Sequence, residues 1–185
     1  GTVLFRRGEL TEAERWLQRA AQQGDAGAMC NYGTLLYERG ELQEAELWFR
    51  RAAQYGDVLA MSNYGAVLYY RQELTEAERW WRRAAQEGHV DAMGNYGALL
   101  YQRGDTEEGE RWLRRAAHKG DVGAMSNYGV ALFHRGERAE AERWWRRAAQ
   151  EGHVTAMREL GTVLFRRGEL TEAERWLQRA AQQGD

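Results

Sequence analysis

Residues 26–57 read AGAMCNYGTLLYERGELQEAELWFRRAAQYGD. Two apolar sets run through this stretch: Ala28, Met29, Tyr32, Leu35 and Leu36, then Leu42, Ala45, Trp48, Phe49, Ala52 and Ala53. Both advance in steps of three and four residues, which lines one face of an α-helix and is not the alternation of a strand. Gly40 and Gly56 follow the stripes where a left-handed residue ends a helix, and Glu41 and Asp57 then bring an acidic group to the positive start of the next. The stretch predicts one helix near 27–39 and a second near 42–55. Because the connection is so short, the two must run antiparallel.

The same pattern returns every 32 residues along the chain of 185. Ala28-Met29 recurs at Ala60-Met61, Ala92-Met93, Ala124-Met125 and Ala156-Met157, and Gly33 at Gly65, Gly97, Gly129 and Gly161. Full units span 26–57, 58–89, 90–121, 122–153 and 154–185, after a partial unit, 1–25, that is identical to 161–185. One helix pair cannot hide its apolar side alone, so each unit must lean on the next. The expected architecture is all-α: a single repeat domain over 1–185, in which stacked antiparallel pairs form a right-handed α-α superhelix.

Three features of the repeat carry packing expectations. Glycine inside a helix costs about 1 kcal/mol against alanine, so Gly33 and its copies imply a close approach, expected at Ala45 of the partner helix. The pairs Trp48-Phe49, Trp80-Trp81 and Trp144-Trp145 are expected to fill the space between successive helix pairs. Gln72 stands in the turn held elsewhere by Gly8, Gly40, Gly104, Gly136 and Gly168, where a left-handed backbone strains any side chain.

Composition narrows the function. With 26 Lys+Arg against 28 Asp+Glu, the net charge of −2 offers no footprint for nucleic acid. Glu46–Arg50, Glu78–Arg82, Glu110–Arg114 and Glu142–Arg146 read as i,i+4 pairs on a solvated helix face. No window is apolar enough for a membrane span, no signal peptide precedes Gly8, and Cys30 is the sole cysteine, so a reducing, cytoplasmic setting is expected. Arginine in such excess over lysine, with Lys119 alone, points to a bacterial source. Neither Cys30 nor His89, His118, His134 or His153 has neighbours at metal-ligand or nucleophile spacing, so no cofactor and no catalysis are expected.

Tyr32 before a small mid-helix residue, then Gly40-Glu41-Leu42, Ala45, Phe49 and Ala52, resembles the tetratricopeptide repeat over the whole chain. The tract ERWWRRAAQEGHVDAM at 78–93 is similar to the related Sel-like repeat. The units are two residues shorter than the usual tetratricopeptide unit and lack its proline after the second helix. The resemblance implies a protein-interaction scaffold whose concave groove, lined by first helices, binds a peptide segment or partner helix.

Transferred to this sequence, groove positions fall on Ser62, Ser126 and Arg158, and on Tyr37, Tyr69 and Tyr101. Tyr70, His134 and Arg166 belong to a neighbouring set that varies from unit to unit, as positions free of packing do. Asn31, Asn63, Asn95 and Asn127 form a ladder whose amides can donate to and accept from the main chain of an extended peptide. The competing expectation for these asparagines is a bond to a neighbouring helix. A competing reading of the whole is structural. The identical ends, and Val3, Leu4 and Phe5 on a cut first helix, fit head-to-tail self-association or an excised or engineered window of a longer array.

Overall fold

The structure, a computed structural model, describes the backbone of residues 2–184 and the side chains of residues 12–184. The side chains of Val3, Leu4 and Phe5 therefore lie outside the described residues. One compact unit holds α1 (Thr2–Gln22), α2 (Ala26–Glu38), α3 (Leu42–Gln54), α4 (Val58–Tyr70) and α5 (Leu74–Gln86) and ends at His89. The other begins at Val90 and holds α6 (Val90–Arg103), α7 (Thr106–His118), α8 (Val122–His134), α9 (Arg138–Gln150), α10 (Val154–Arg167) and α11 (Leu170–Gly184). The division falls between two repeats. No strand occurs among the described residues.

Within each unit the helices pack chiefly in chain order: α1 on α2, α2 on α3, α3 on α4 and α4 on α5, and likewise from α6 to α11. That is a row of hairpins rather than a bundle around one centre. The stop signals act as their chemistry requires. At the end of α2, Gly40 takes φ +81°, Glu41 N–H donates to Leu36 C=O at 2.9 Å and Gly40 N–H to Tyr37 C=O at 3.0 Å. Two otherwise orphaned carbonyls are thereby satisfied. The start signals divide into two kinds. Asp25, Asp57 and Asp121 cap α2, α4 and α8 by accepting from Ala28, Ala60 and Ala124 N–H, whereas Glu41, Glu73, Asp105 and Glu137 make no side-chain cap bond.

The leading unit departs from the pattern. Helix α1 runs unbroken through Gly8.

Gln72 adopts the left-handed conformation expected of its turn, at φ 64°, with the same pair of closing bonds from Gln72 N–H to Tyr69 C=O and from Glu73 N–H to Leu68 C=O. Gln72→Gly should raise stability by about 1 kcal/mol. A melting temperature lowered by the change would contradict the strain.

Gly97 meets the backbone of Gly109, the residue at the Ala45 position of its unit, as expected, but the core corrects the partner of the other recurring glycines. A Cβ on Gly33 would meet the Phe49 ring at 2.9 Å, while the Ala45 carbonyl is at 3.4 Å. Gly65 and Gly129 likewise underlie the indoles of Trp81 and Trp145, and Gly161 underlies Leu177. The second residue of each aromatic pair thus fills space within its own helix pair, and its bulk demands the glycine. The first residue also packs within the pair: Trp48, Trp80 and Trp144 set their rings edge-on against Tyr32, Tyr64 and Tyr128. Trp144 meets the expectation of contact between pairs as well, with its ring edge-on to that of His118 on α7 at 5.0 Å. Trp112, preceding Leu113 in the unit between, packs its ring against Tyr96 at 5.7 Å.

What joins one pair to the next is electrostatic as well as apolar. Arg39 grips Glu14 through two bonds, Arg71 binds Glu46 at 2.7 Å, Arg135 binds Glu110 at 2.7 Å and Arg167 binds Glu142 at 2.8 Å. Each bond ties a second helix to the end of the following first helix. The expected solvated i,i+4 pairing of these glutamates is found at Glu142–Arg146, whereas Glu46 and Glu110 reach across to the next repeat. An arginine at a helix C-terminus is also favoured by the backbone dipole, which the i,i+4 reading does not weigh.

Candidate functional site

The first unit carries an open cleft between α2, the start of α3 and the end of α4. Tyr37 and Tyr70, 47% and 76% exposed, stand on its two sides, and Val67 floors it. Toward α3 it broadens into a cavity of about 550 Å³ bounded by Leu42 and Gln43. Toward the middle of the first helices it continues as a cavity of about 290 Å³ reaching Thr34, Ala66 and Asn63. The structure therefore brings Tyr37, Tyr70 and Asn63 to one surface. Glu46 and Arg71 close one wall, bound to each other, so that wall is polar but internally neutralised.

The other expected residues separate into three groups. Asn31, Asn95 and Asn127 are exposed and, like half-buried Asn63, make no side-chain bond to the described residues. The expectation that these amides satisfy a neighbouring helix is not met. Arg158 and Arg166 are exposed. Tyr69 is half-buried with its ring 5.5 Å from that of Trp81, which makes it a wedge beneath Tyr70. Tyr101 and His134 occupy one another: their rings stack at 6.3 Å, and Tyr101 Oη lies 3.0 Å from His134 Nδ1.

Ser62 and Ser126 are corrections. They are 5% and 0% exposed and cannot line an open groove. Their position is turned toward the cap residue of the following repeat. At the equivalent Gly94 an added Cβ would sit 3.1 Å from the Asp121 carboxylate, and at Cys30 the thiol feels the Asp57 carboxylate. Burial, with Asp57 adding to it, pushes the Cys30 thiol up to about 12, so it remains protonated and is not a nucleophile at neutral pH.

His153 takes the capping place of aspartate in α10, its Nδ1 accepting from Ala156 N–H at 3.3 Å. Only the neutral ring can accept. Burial holds its pKa below the ordinary value of 6.5, against a smaller opposing pull from the Asp121 carboxylate. A group whose folded pKa is depressed contributes its stability above the unfolded value and loses it as pH falls through the folded one. Acidification below 6.5 should accordingly weaken the start of α10. His153→Asn keeps the cap without titrating, so it should retain about 1 kcal/mol that the parent loses at low pH. Parallel melting curves of parent and variant at neutral and mildly acid pH check this.

Among the described residues no group of three or more His, Cys, Asp or Glu is placed to hold a metal ion, and no helix is long and apolar enough to cross a membrane.

Tetratricopeptide repeat profiles match residues 1–58, 129–185 and 90–115, and a Sel1 repeat profile matches the intervening 58–89. The chain belongs to the tetratricopeptide repeat family. Its Sel1 side is equally plain in solved structures. A Sel1 repeat protein from Oxalobacter formigenes is 31% identical, with TM-score 0.76 over 92% of this chain and 78% of that one. The protein c5321, described as a protective antigen of uropathogenic Escherichia coli displaying an SLR fold, is 25% identical with TM-score 0.83. That match covers 93% of this chain but 41% of c5321, so the chain spans about two fifths of that relative. YrrB, described as a tetratricopeptide protein with an unusual peptide-binding site, shares the fold at 21% identity and TM-score 0.62, over 90% of this chain and 91% of that one. No curated protein sequence matches the chain. Tetratricopeptide and Sel1 repeats are in general protein-interaction scaffolds, and the helix-pair stacking seen here is theirs.

The cleft residues that sequence reading missed are Leu42, Gln43, Glu46, Val67 and Arg71. Leu42 reads as core from its spacing, yet it is 50% exposed because it sits in the first turn of α3, where no following helix covers it.

Proposed function

We propose that this tetratricopeptide repeat chain is a scaffold without catalytic chemistry whose first unit holds an extended segment of a protein partner in the Tyr37–Tyr70 cleft. The observation that carries the reading is that Asn63, whose amide has no partner among the described residues, opens onto the same cleft as two exposed tyrosines. The rings offer flat apolar surface to a side chain at low entropic cost, and the amide offers one donor and one acceptor to a peptide unit. Asn31, exposed one repeat earlier, extends this polar strip along the first helices. The peptide-binding site named for YrrB is a precedent on a similar fold.

Binding of a fluorescein-labelled hexapeptide of alternating leucine and glutamine tests the reading. Tyr37→Ala with Tyr70→Ala should weaken binding by about tenfold or more, since exposed aromatic anchors carry most of such an interface. Asn63→Ala should cost about 1 kcal/mol, the net worth of one hydrogen bond. Unchanged affinity in variants with unchanged helical circular dichroism would remove the cleft from consideration.

A further inference from the structure

The cleft of the first unit has a counterpart in the second, three repeats later in the sequence. Phe133, Arg138, Ala139, Val163 and Arg166 stand where Tyr37, Leu42, Gln43, Val67 and Tyr70 stand, around a cavity of about 480 Å³. The supporting ion pair is retained, Glu142–Arg167 in place of Glu46–Arg71. Of the four positions that differ, two become arginine, Leu42 being replaced by Arg138 and Tyr70 by Arg166. One repeat before this second cleft, the corresponding Tyr101 and His134 bridge the space with their own hydrogen bond.

The carboxylates around this second cleft are already engaged. Glu137 is bound by Arg135, Glu142 by Arg146 and Arg167, and Glu169 by Arg167. Arg138 and Arg166 are exposed and have no acidic partner among the described residues. Arg138 lies over the Phe133 ring at 5.9 Å. Stacking occupies the face of a guanidinium and leaves its edge donors for an acceptor, which a carboxylate fits with two parallel bonds. Val163 and Phe133 add an apolar floor beside the charge.

We propose that the Phe133–Arg138–Arg166 cleft binds an acidic peptide segment of a protein partner, with a glutamate or aspartate carboxylate between the two arginines and a neighbouring apolar side chain against Phe133 and Val163. The proposal rests on the reading of the first cleft as a peptide site and names a different ligand chemistry for the second. One chain thereby offers an apolar cleft and a cationic one.

The test uses the full chain and two labelled hexapeptides, one alternating glutamate with leucine and the other glutamine with leucine. The acidic probe should bind, shift the amide resonances of Ala139 and Val163, and weaken as sodium chloride is raised, because exposed charges are screened beyond about 10 Å at 0.1 M salt. Arg138→Gln with Arg166→Gln should lower its affinity at least tenfold. The charge-matched control, Arg143→Gln with Arg175→Gln, removes two exposed arginines elsewhere and should leave it unchanged. Equal affinity in both double variants, or resonance shifts confined to residues away from the cleft, overturns the proposal. Equal binding of the two probes to the parent at this cleft overturns it as well. The neutral probe and the Tyr37–Tyr70 variants report separately on the first cleft, so failure of one reading is distinguishable from failure of the other.

Discussion

Gly129→Ala should destabilise the chain by about 2 kcal/mol, although alanine is the better helix former by about 1 kcal/mol. The added methyl would lie 2.5 Å from Trp145 Nε1 and 2.6 Å from its Cδ1. The indole cannot swing aside freely. It is 1% exposed, and Nε1 donates to the Ser126 carbonyl at 3.1 Å, so movement would strand a buried N–H. Trp145→Ala alone should cost about 3–5 kcal/mol, the usual range for emptying an aromatic core site. In that background the sign should invert: with the ring gone, Gly129→Ala restores up to about 1 kcal/mol through helix propensity. Urea unfolding of the four proteins in the cycle, followed by helical circular dichroism, measures the coupling. A loss of equal size with and without the ring would show that something other than Trp145 imposes the glycine.

Gly109→Ala should cost more, about 3 kcal/mol, and no trimming of side chains should recover it. Every other complete unit places alanine here, and Ala45, Ala77, Ala141 and Ala173 are buried without difficulty. In the α6–α7 pair the residue across from Gly97 is Leu113 rather than an aromatic ring, and the two backbones close the space. A Cβ on Gly109 would lie 2.7 Å from Tyr101 N and 2.8 Å from the Gly97 carbonyl oxygen. Backbone atoms have no rotamer to retreat into, so the helices themselves would have to part. Leu113→Ala combined with Gly109→Ala should therefore be no more stable than Leu113→Ala alone. Recovery in that double variant would mean that the leucine side chain, and not the main chain, sets the limit.

The two glycines fail as alanines for different reasons, and the difference bears on how the sites are built. Where the wedge is a ring, as at Phe49, it stands between α2 and α3 and lines the open cleft together with Tyr37. The Glu46–Arg71 and Glu142–Arg167 pairs sit in the walls of the two open clefts, so the bond that joins successive repeats also fixes the frame within which a ligand is held.

Helix pairs, their boundaries to within a residue or two, their antiparallel sense and the strained turn at Gln72 all follow from local rules, namely apolar spacing, the stop glycines and short connections. The asparagines are legible as a recurring polar ladder, and Tyr70 because variation within an otherwise copied unit marks positions that packing leaves free. The recurrence of Glu14, Glu46, Glu110 and Glu142 with Arg39, Arg71, Arg135 and Arg167 was present in the sequence too, but adjacency on one helix suggests i,i+4 partners. Only the offset between neighbouring repeats places each glutamate beside the next helix end. Burial of Ser62 and Ser126 is likewise tertiary, since a small polar side chain near the start of a first helix reads as surface until the following cap residue covers it. The 32-residue period by itself determined an all-helical row of hairpins, because amphipathic spacing and turn chemistry act within one unit. Which side chains touch across units, and hence which clefts stay open and what charge they carry, was decided by the tertiary structure, because those contacts depend on the distance between helices that the core residues set.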